Sequence, residues 1–155
     1  MNYICKKAMS KTISLFHIVF CTKNRCQVIP LSQRAPLFRF IWHIIQEKKC
    51  ILYRINGMGE HIHILIDLHP TCALSDFVRE IKSKSSQWMR KSGFYPLFDG
   101  WGREYFAESK SPADKDTVIN YIKAQEIHHT GYTFAEEVYS LITETGMTCR
   151  EDDLS

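Results

Sequence analysis

Apolar positions along this chain switch repeatedly between a period of two and a period near 3.6, and the switches predict its elements. Lys11–Cys21 (Lys-Thr-Ile-Ser-Leu-Phe-His-Ile-Val-Phe-Cys) is rich in β-branched and aromatic residues and reads as a first strand. A polar loop, Thr22–Leu31, follows, and Ser32 is the expected cap of a helix to about Lys49, with Leu37, Phe38, Ile41, Ile44 and Ile45 at helical spacing. Cys50–Met58 and Glu60–Leu68 read as a hairpin turning at Gly57 and Gly59. A second helix is expected over Ala73–Ser92, ending before Gly93, and a fourth strand over Arg103–Ser109. Pro112-Ala113-Asp114 opens a third helix through Gln125 to about His129, and Thr133–Thr145 a last short one. The order β-α-β-β-α-β-α predicts an α+β, ferredoxin-like fold: an antiparallel sheet with helices packed on one face. Residues 1–155 form one domain, with an acidic, frayed end from about 146.

Within the third strand, His61 and His63 interrupt the run Ile62-His63-Ile64-Leu65-Ile66-Asp67. Side chains two apart on a strand share a face, and their Cα atoms lie about 6–7 Å apart. His61, His63, Leu65 and Asp67 therefore point one way and Ile62, Ile64 and Ile66 the other. Two imidazoles on one face could close on a single cation, or could be satisfied polar groups on a half-exposed strand. The spacing alone leaves both open.

Composition narrows the class. Apolar residues make up 45% and charged residues 24% of 155, ordinary for a globular domain with its own core. No apolar run approaches the roughly 20 residues of a membrane span. Met1-Asn2-Tyr3-Ile4-Cys5-Lys6-Lys7 lacks the apolar stretch of a secretory leader, so a cytoplasmic location is expected. The cysteines at 5, 21, 26, 50, 72 and 149 include no Cys-x-x-Cys pair, which argues for reduced thiols rather than a zinc knuckle or disulfide framework. The net charge of +3 is uneven. Residues 136–155 carry six acids and one arginine, leaving +8 on the first 135, a balance that suggests a polyanion-binding body.

The basic residues cluster. On the second helix Arg79, Lys82, Ser83, Ser86 and Arg90 follow at three- or four-residue steps, opposite an apolar face of Leu74, Phe77, Ile81, Ser85 and Trp88. Lys23, Arg25, Arg34 and Arg39 are further candidates for phosphate contact. Phe94, Tyr95, Phe98 and Trp101 either stack on unpaired bases or pack within their own loop. On the third helix Tyr121 and Gln125 stand at i and i+4, on one face. His17 lies on the first strand, where a structural role and support of the histidine pair are the alternatives. His43, His128 and His129 are assigned no metal role.

Gly59-Glu60-His61-Ile62-His63-Ile64-Leu65-Ile66 resembles the His-hydrophobic-His motif of single-tyrosine HUH transposases of the insertion-sequence 200/605 type. Phe16–Arg25 is similar to that family's first strand and following loop, Ile81–Trp88 to its second-helix signature, and Tyr121–His129 to its nucleophile helix. These blocks occur in family order. The resemblance implies that His61, His63 and Gln125 hold a divalent cation, Mg²⁺ or Mn²⁺. It implies that Tyr121 attacks single-stranded DNA near hairpin ends, giving a 5′-phosphotyrosine and a free 3′-OH that reversal can rejoin. It also implies a homodimer in which one subunit's tyrosine helix can complete the other's site. A non-catalytic hairpin-binding protein and a host enzyme acting on palindromic repeats are the alternatives. Two positions and one segment depart from the family: Glu60 and Ala124 stand where Asn is common, and after Trp101 Gly102–Ser109 replaces a Gly-Tyr-Gly-Ala-Phe-Ser run. Tyr105 is the competing nucleophile, without a nearby Gln.

Overall fold

In the computed structural model, residues 11–128, 131 and 133–147 are described. The elements run β1 (Leu15–Cys21), a 3₁₀ turn (Lys23–Arg25), α1 (Leu31–Glu47), β2 (Ile51–Gly57), β3 (His61–Asp67), α2 (Leu74–Ser92), β4 (Phe106–Lys110), a 3₁₀ turn (Pro112–Asp114), α3 (Lys115–Lys123), α4 (Gln125–His128) and α5 (Phe134–Glu144). The strands form one antiparallel sheet in the order β2-β3-β1-β4. This is the expected ferredoxin-like α+β layout. The acidic end beyond Met147 lies outside the described residues, as do Cys5, Cys149 and His129.

The period of two in β3 separates two buried layers. Ile62, Ile64 and Ile66, fully buried, join Ile18 and Phe20 of β1 under Leu37, Ile41, Ile44 and Ile45 of α1 and Phe77, Val78, Ile81 and Met89 of α2. Burying each such side chain contributes about 1.5–3 kcal/mol. So α1 and α2 cover one face, as expected. The third helix departs from the expectation that the helices share one face and takes the other, because Leu65 of β3 packs with Val118 and Ile122 of α3, flanked by Tyr53, Ile119 and Tyr121. That placement brings α3 onto the face where the histidines point. In the hairpin, a Cβ on Gly57 would collide with the His61 carbonyl oxygen, so only glycine fits there.

Three local expectations are corrected, and one alternative is decided. Ser32 does not cap α1, which begins one residue earlier with Pro30 in the cap position and no side-chain cap. The fourth strand starts at Phe106, not Arg103, because the carbonyls of Gly102, Arg103 and Glu104 are taken by the Lys82 ammonium at 2.8, 3.4 and 2.9 Å. The third helix is not continuous to His129. It stops at Lys123 because the Asn56 amide of β2 donates to the Ile122 and Lys123 carbonyls at 3.0 and 3.3 Å, capping the helix from outside. The aromatic loop mostly packs within itself: Tyr95 and Phe98 are buried in the core, and Trp101 sits edge-on to Phe20 and Phe98. Phe94 alone of the four is exposed.

Candidate active site

Strand alternation places His61 and His63 on the α3 face, both fully buried. The break after Lys123 sets Gln125 at the start of α4, and its Oε1 reaches 3.1 Å from His61 Nε2. One turn earlier, Tyr121 lies edge-on to the rings of His63 and His17, with centroids 5.7 and 5.9 Å away. The structure thus brings Tyr121, Gln125, His61 and His63 to one point within a single chain.

A residue that sequence reasoning missed sits among them. Glu137 of α5, 1% exposed, has Oε1 at 3.0 Å from His63 Nε2 and Oε2 at 3.7 Å from His61 Nε2. The Tyr121 hydroxyl donates to the same carboxylate, and Gln125 Nε2 donates to its Oε1 at 3.2 Å. Two signals in the sequence point to it. Thr133 and Glu136 form a reciprocal capping box that marks the start of α5. Glu137 then falls three residues after Phe134 and four before Leu141, a carboxylate on an apolar helix face. Part of the acidic stretch 136–155 is therefore inside the fold.

The outer nitrogens of the two imidazoles are also held. His61 Nδ1 lies 2.7 Å from Glu60 Oε1, so the carboxylate accepts its N–H and turns Nε2 toward Gln125 and Glu137. The Glu60 backbone carbonyl in turn accepts from Thr22 N at 2.8 Å. His63 Nδ1 lies 2.9 Å from His17 Nε2. Burial, then the neighbouring His63 and Lys110, push the His17 pKa well below its ordinary value against the pull of Glu137, so His17 is neutral and can accept the His63 N–H. His17 thus supports the histidine pair, one of the two alternatives its position allowed. Burial opposes the charge on Glu137, but its hydrogen bond and attraction to His63, the Tyr121 hydroxyl and His61 outweigh that and hold its carboxyl far below the usual range. Phe134 stacks on His61 at 4.0 Å between centroids, and the Arg25 guanidinium lies 5.4 Å from the centre of the Phe134 ring.

These residues fit a divalent cation. His61, His63 and Glu137 each offer one atom, all within 4.8 Å of one another. Ligands about 2.1 Å from a common ion lie roughly 3–4 Å apart, and the Glu137 carboxylate stands 3.0 Å from His63 Nε2 and 3.7 Å from His61 Nε2. Imidazole, carboxylate and amide oxygen suit Mn²⁺ and admit Zn²⁺ or Ni²⁺ as well.

The other candidates are distributed around the molecule. Arg79, Lys82, Ser83 and Ser86 line one groove of about 390 Å³ with Trp101, Arg103 and Tyr105. Within it Lys82 is engaged by the three loop carbonyls and lies 5.8 Å over the Tyr105 ring. Arg79 pairs with Asp76 at 2.6 Å, and Arg90 donates to Ser86 Oγ at 3.3 Å. Lys23 pairs with Asp99 at 3.3 Å on the surface. Arg25 and Arg34 line a second groove, about 680 Å³, together with Glu60, Phe134 and Glu136 beside His61. Tyr105 stands in the α2 groove, away from the histidine pair's ring contacts.

A family model described as "Transposase IS200 like" matches residues 10–125. The chain belongs to the IS200-like transposase family. As a member of that family it is a DNA-cutting enzyme. It is 26% identical over 117 residues to the ISDra2 transposase TnpA of Deinococcus radiodurans, covering 71% of this chain and 82% of that protein. It is equally identical to the transposase for insertion sequence element IS200 of Salmonella typhimurium, covering 71% and 75%. Its fold matches the crystal structure of a Deinococcus radiodurans transposase with a TM-score of 0.60 at 23% identity, over 77% of this chain and 97% of that one. It also matches a REP-associated tyrosine transposase bound to a REP hairpin, with a TM-score of 0.56 at 20% identity, over 78% and 74%. No helix among the described residues is long and apolar enough to cross a membrane.

Proposed function

We propose that this IS200-like transposase cuts and rejoins single-stranded DNA through a covalent bond between Tyr121 and a 5′-phosphate. The observation that carries the reading is that the Tyr121 hydroxyl donates to the same buried Glu137 carboxylate that touches Gln125 and His63, with the Tyr121 ring edge-on to His63 and Gln125 beside His61. The phenolic oxygen bonds to phosphorus, the bond from phosphorus to the 3′-oxygen breaks, the phenol loses its proton and the 3′-oxygen gains one. Reversal with another 3′-OH joins strands with no change in the number of phosphodiesters. His61, His63 and Gln125 would hold Mg²⁺ or Mn²⁺, which polarises a phosphate oxygen and neutralises charge in the transition state. A phenol with an ordinary pKa near 10 is a weak nucleophile until it is aligned and relieved of its proton. Packing against His17 and His63 supplies the alignment.

The substrate is hairpin-flanked single-stranded DNA. Arg25 and Arg34, in the groove beside His61, would lead the strand to the site. Arg79, Ser83, Ser86 and Arg90 on α2, with Lys23, would hold the rest of the DNA by its phosphates. Lys82 contributes to this groove by fixing the loop that forms its wall. Tyr121 reaches the histidines of its own chain, which supports assembly of the site within one subunit. A homodimer that exchanges the tyrosine helix is the second arrangement. The likeness to a transposase bound to a REP hairpin supports a second reading of role, a host enzyme acting on palindromic repeats. Replacing Tyr121 with Phe tests the chemistry: the covalent adduct with oligonucleotide disappears while binding persists, and an adduct that survives refutes the assignment.

A further inference from the structure

We infer that Glu137 is a further protein ligand of the catalytic cation and the group that holds the Tyr121 hydroxyl beside it, so that α5 is part of the reaction centre. This rests on the metal-dependent reading above. The carboxylate lies against the inner nitrogen of both imidazoles, 3.0 Å from His63 and 3.7 Å from His61, on the side where Gln125 also stands. Its Oε1 accepts from the Gln125 amide at 3.2 Å, and it accepts the Tyr121 hydroxyl as well. One side chain therefore touches every other group proposed for catalysis.

A carboxylate removed from water in this way is costly unless it is paired or coordinates a cation. Pairing with the imidazoles and the phenol offsets that cost here, and it sets an acid on the buried face of α5, between Phe134 stacked on His61 and Ile142 in the interior, where a cation would find it. Glu137 lies beyond residue 125, where the match to the family model ends, so this ligand comes from a helix outside the matched region. Imidazoles must give up their extra proton to bind a metal, so with a carboxamide they would contribute no charge to the ligand set. Adding Glu137 gives the site a net −1, and the affinity of oxygen-rich sites for divalent ions rises with the number of charged ligands.

Binding of the cation and docking of α5 then favour each other, since a ligand that bridges the two must couple them reciprocally. The carboxylate would bind the ion and, through the hydrogen bond to Tyr121, keep the nucleophile at the ion's edge. Strand cleavage would require DNA to enter past the first turn of α5, along the groove that Arg25, Arg34 and Phe134 line.

The test is calorimetric titration of the full chain with Mn²⁺, comparing wild type, Glu137→Gln, Glu137→Asp and His61→Ala. Glu137→Gln is expected to weaken Mn²⁺ binding at least tenfold, Glu137→Asp less, and His61→Ala at least as much. In wild type, Mn²⁺ is expected to slow backbone amide exchange across Phe134–Glu144, an effect Glu137→Gln abolishes. If His61→Ala loses Mn²⁺ while Glu137→Gln binds within twofold of wild type, the histidine site stands and the role given to Glu137 is wrong. If Glu137→Gln cleaves DNA faster at unchanged Mn²⁺ affinity, Glu137 is a plug and not a ligand. If wild type binds no Mn²⁺, the metal-dependent reading fails and this inference with it. Should Glu137→Gln fold poorly, the wild-type exchange measurement still decides, because Mn²⁺ that binds without slowing exchange across Phe134–Glu144 would overturn the place given to α5.

Discussion

Lys82→Met separates two roles that a lysine on a basic helix face can have. In the structure the ammonium donates to the carbonyls of Gly102, Arg103 and Glu104 at 2.8, 3.4 and 2.9 Å, tying α2 to the segment that enters β4. Burial lowers its pKa despite the nearby Cys21 and Glu104, which marks a group drawn partly out of water. A hydrogen bond from a charged donor contributes about 1.5–3 kcal/mol, and three bonds from one partly buried ammonium are far from additive. Methionine keeps the aliphatic packing and leaves those carbonyls to water. The expected cost is therefore about 2–3 kcal/mol in urea unfolding. The salt dependence of binding to a single-stranded oligonucleotide should keep its slope, because the Lys82 ammonium is spent on the loop rather than on a phosphate. Each side chain that neutralises a phosphate of a single strand adds about 0.7 to the slope of log K against log salt, so removing one would flatten the slope by that much. A stability change under about 0.5 kcal/mol, within the range of ordinary surface substitutions, together with a flattened slope would refute the structural role.

Asn56→Ala removes the two bonds that end α3, with an expected cost of about 1–2 kcal/mol, and by freeing Gln125 it should also weaken Mn²⁺ binding; unchanged affinity would show that the break does not position Gln125. His17→Phe keeps the ring packing but removes the acceptor for His63 Nδ1, and loss of such an outer partner typically costs about 10–100-fold in metal affinity, read by the same titration. Glu80 is held at about 2, below its ordinary 4.5, by hydrogen bonds to Lys48 and Lys84. Its folded-state pKa is depressed, so its contribution is present above pH 4.5 and is lost as pH falls toward 2. Being a partly exposed pair it is worth about 1 kcal/mol or less, and the difference between Glu80→Gln and wild type in urea unfolding should be smaller at pH 2 than at pH 6.

The parts of the fold legible in the sequence are those set by local periodicity. The alternation of His61 and His63 with isoleucines determines both the strand and the common direction of the imidazoles. What stays hidden depends on partners distant along the chain. The end of α3 is determined by Asn56, 66 residues from Ile122, so a continuous helix is the natural expectation from local pattern alone. The late start of β4 is determined by Lys82, some twenty residues away, which removes three carbonyls from the ladder. Tyr95 and Phe98 read equally well as base-stacking or as core, and burial decides for core. Glu137 belongs by charge with the acidic end, because net charge hides position; its place on the apolar side of α5 emerges only once the capping box sets the helix start.

The most direct measurement is mass spectrometry of the protein after incubation with hairpin-flanked single-stranded DNA and Mg²⁺. A peptide carrying a 5′-linked nucleotide on Tyr121 is expected, absent from Tyr121→Phe and from His63→Ala. A nucleotide found on Tyr105, or cleaved DNA with no protein-linked product, would overturn the mechanism.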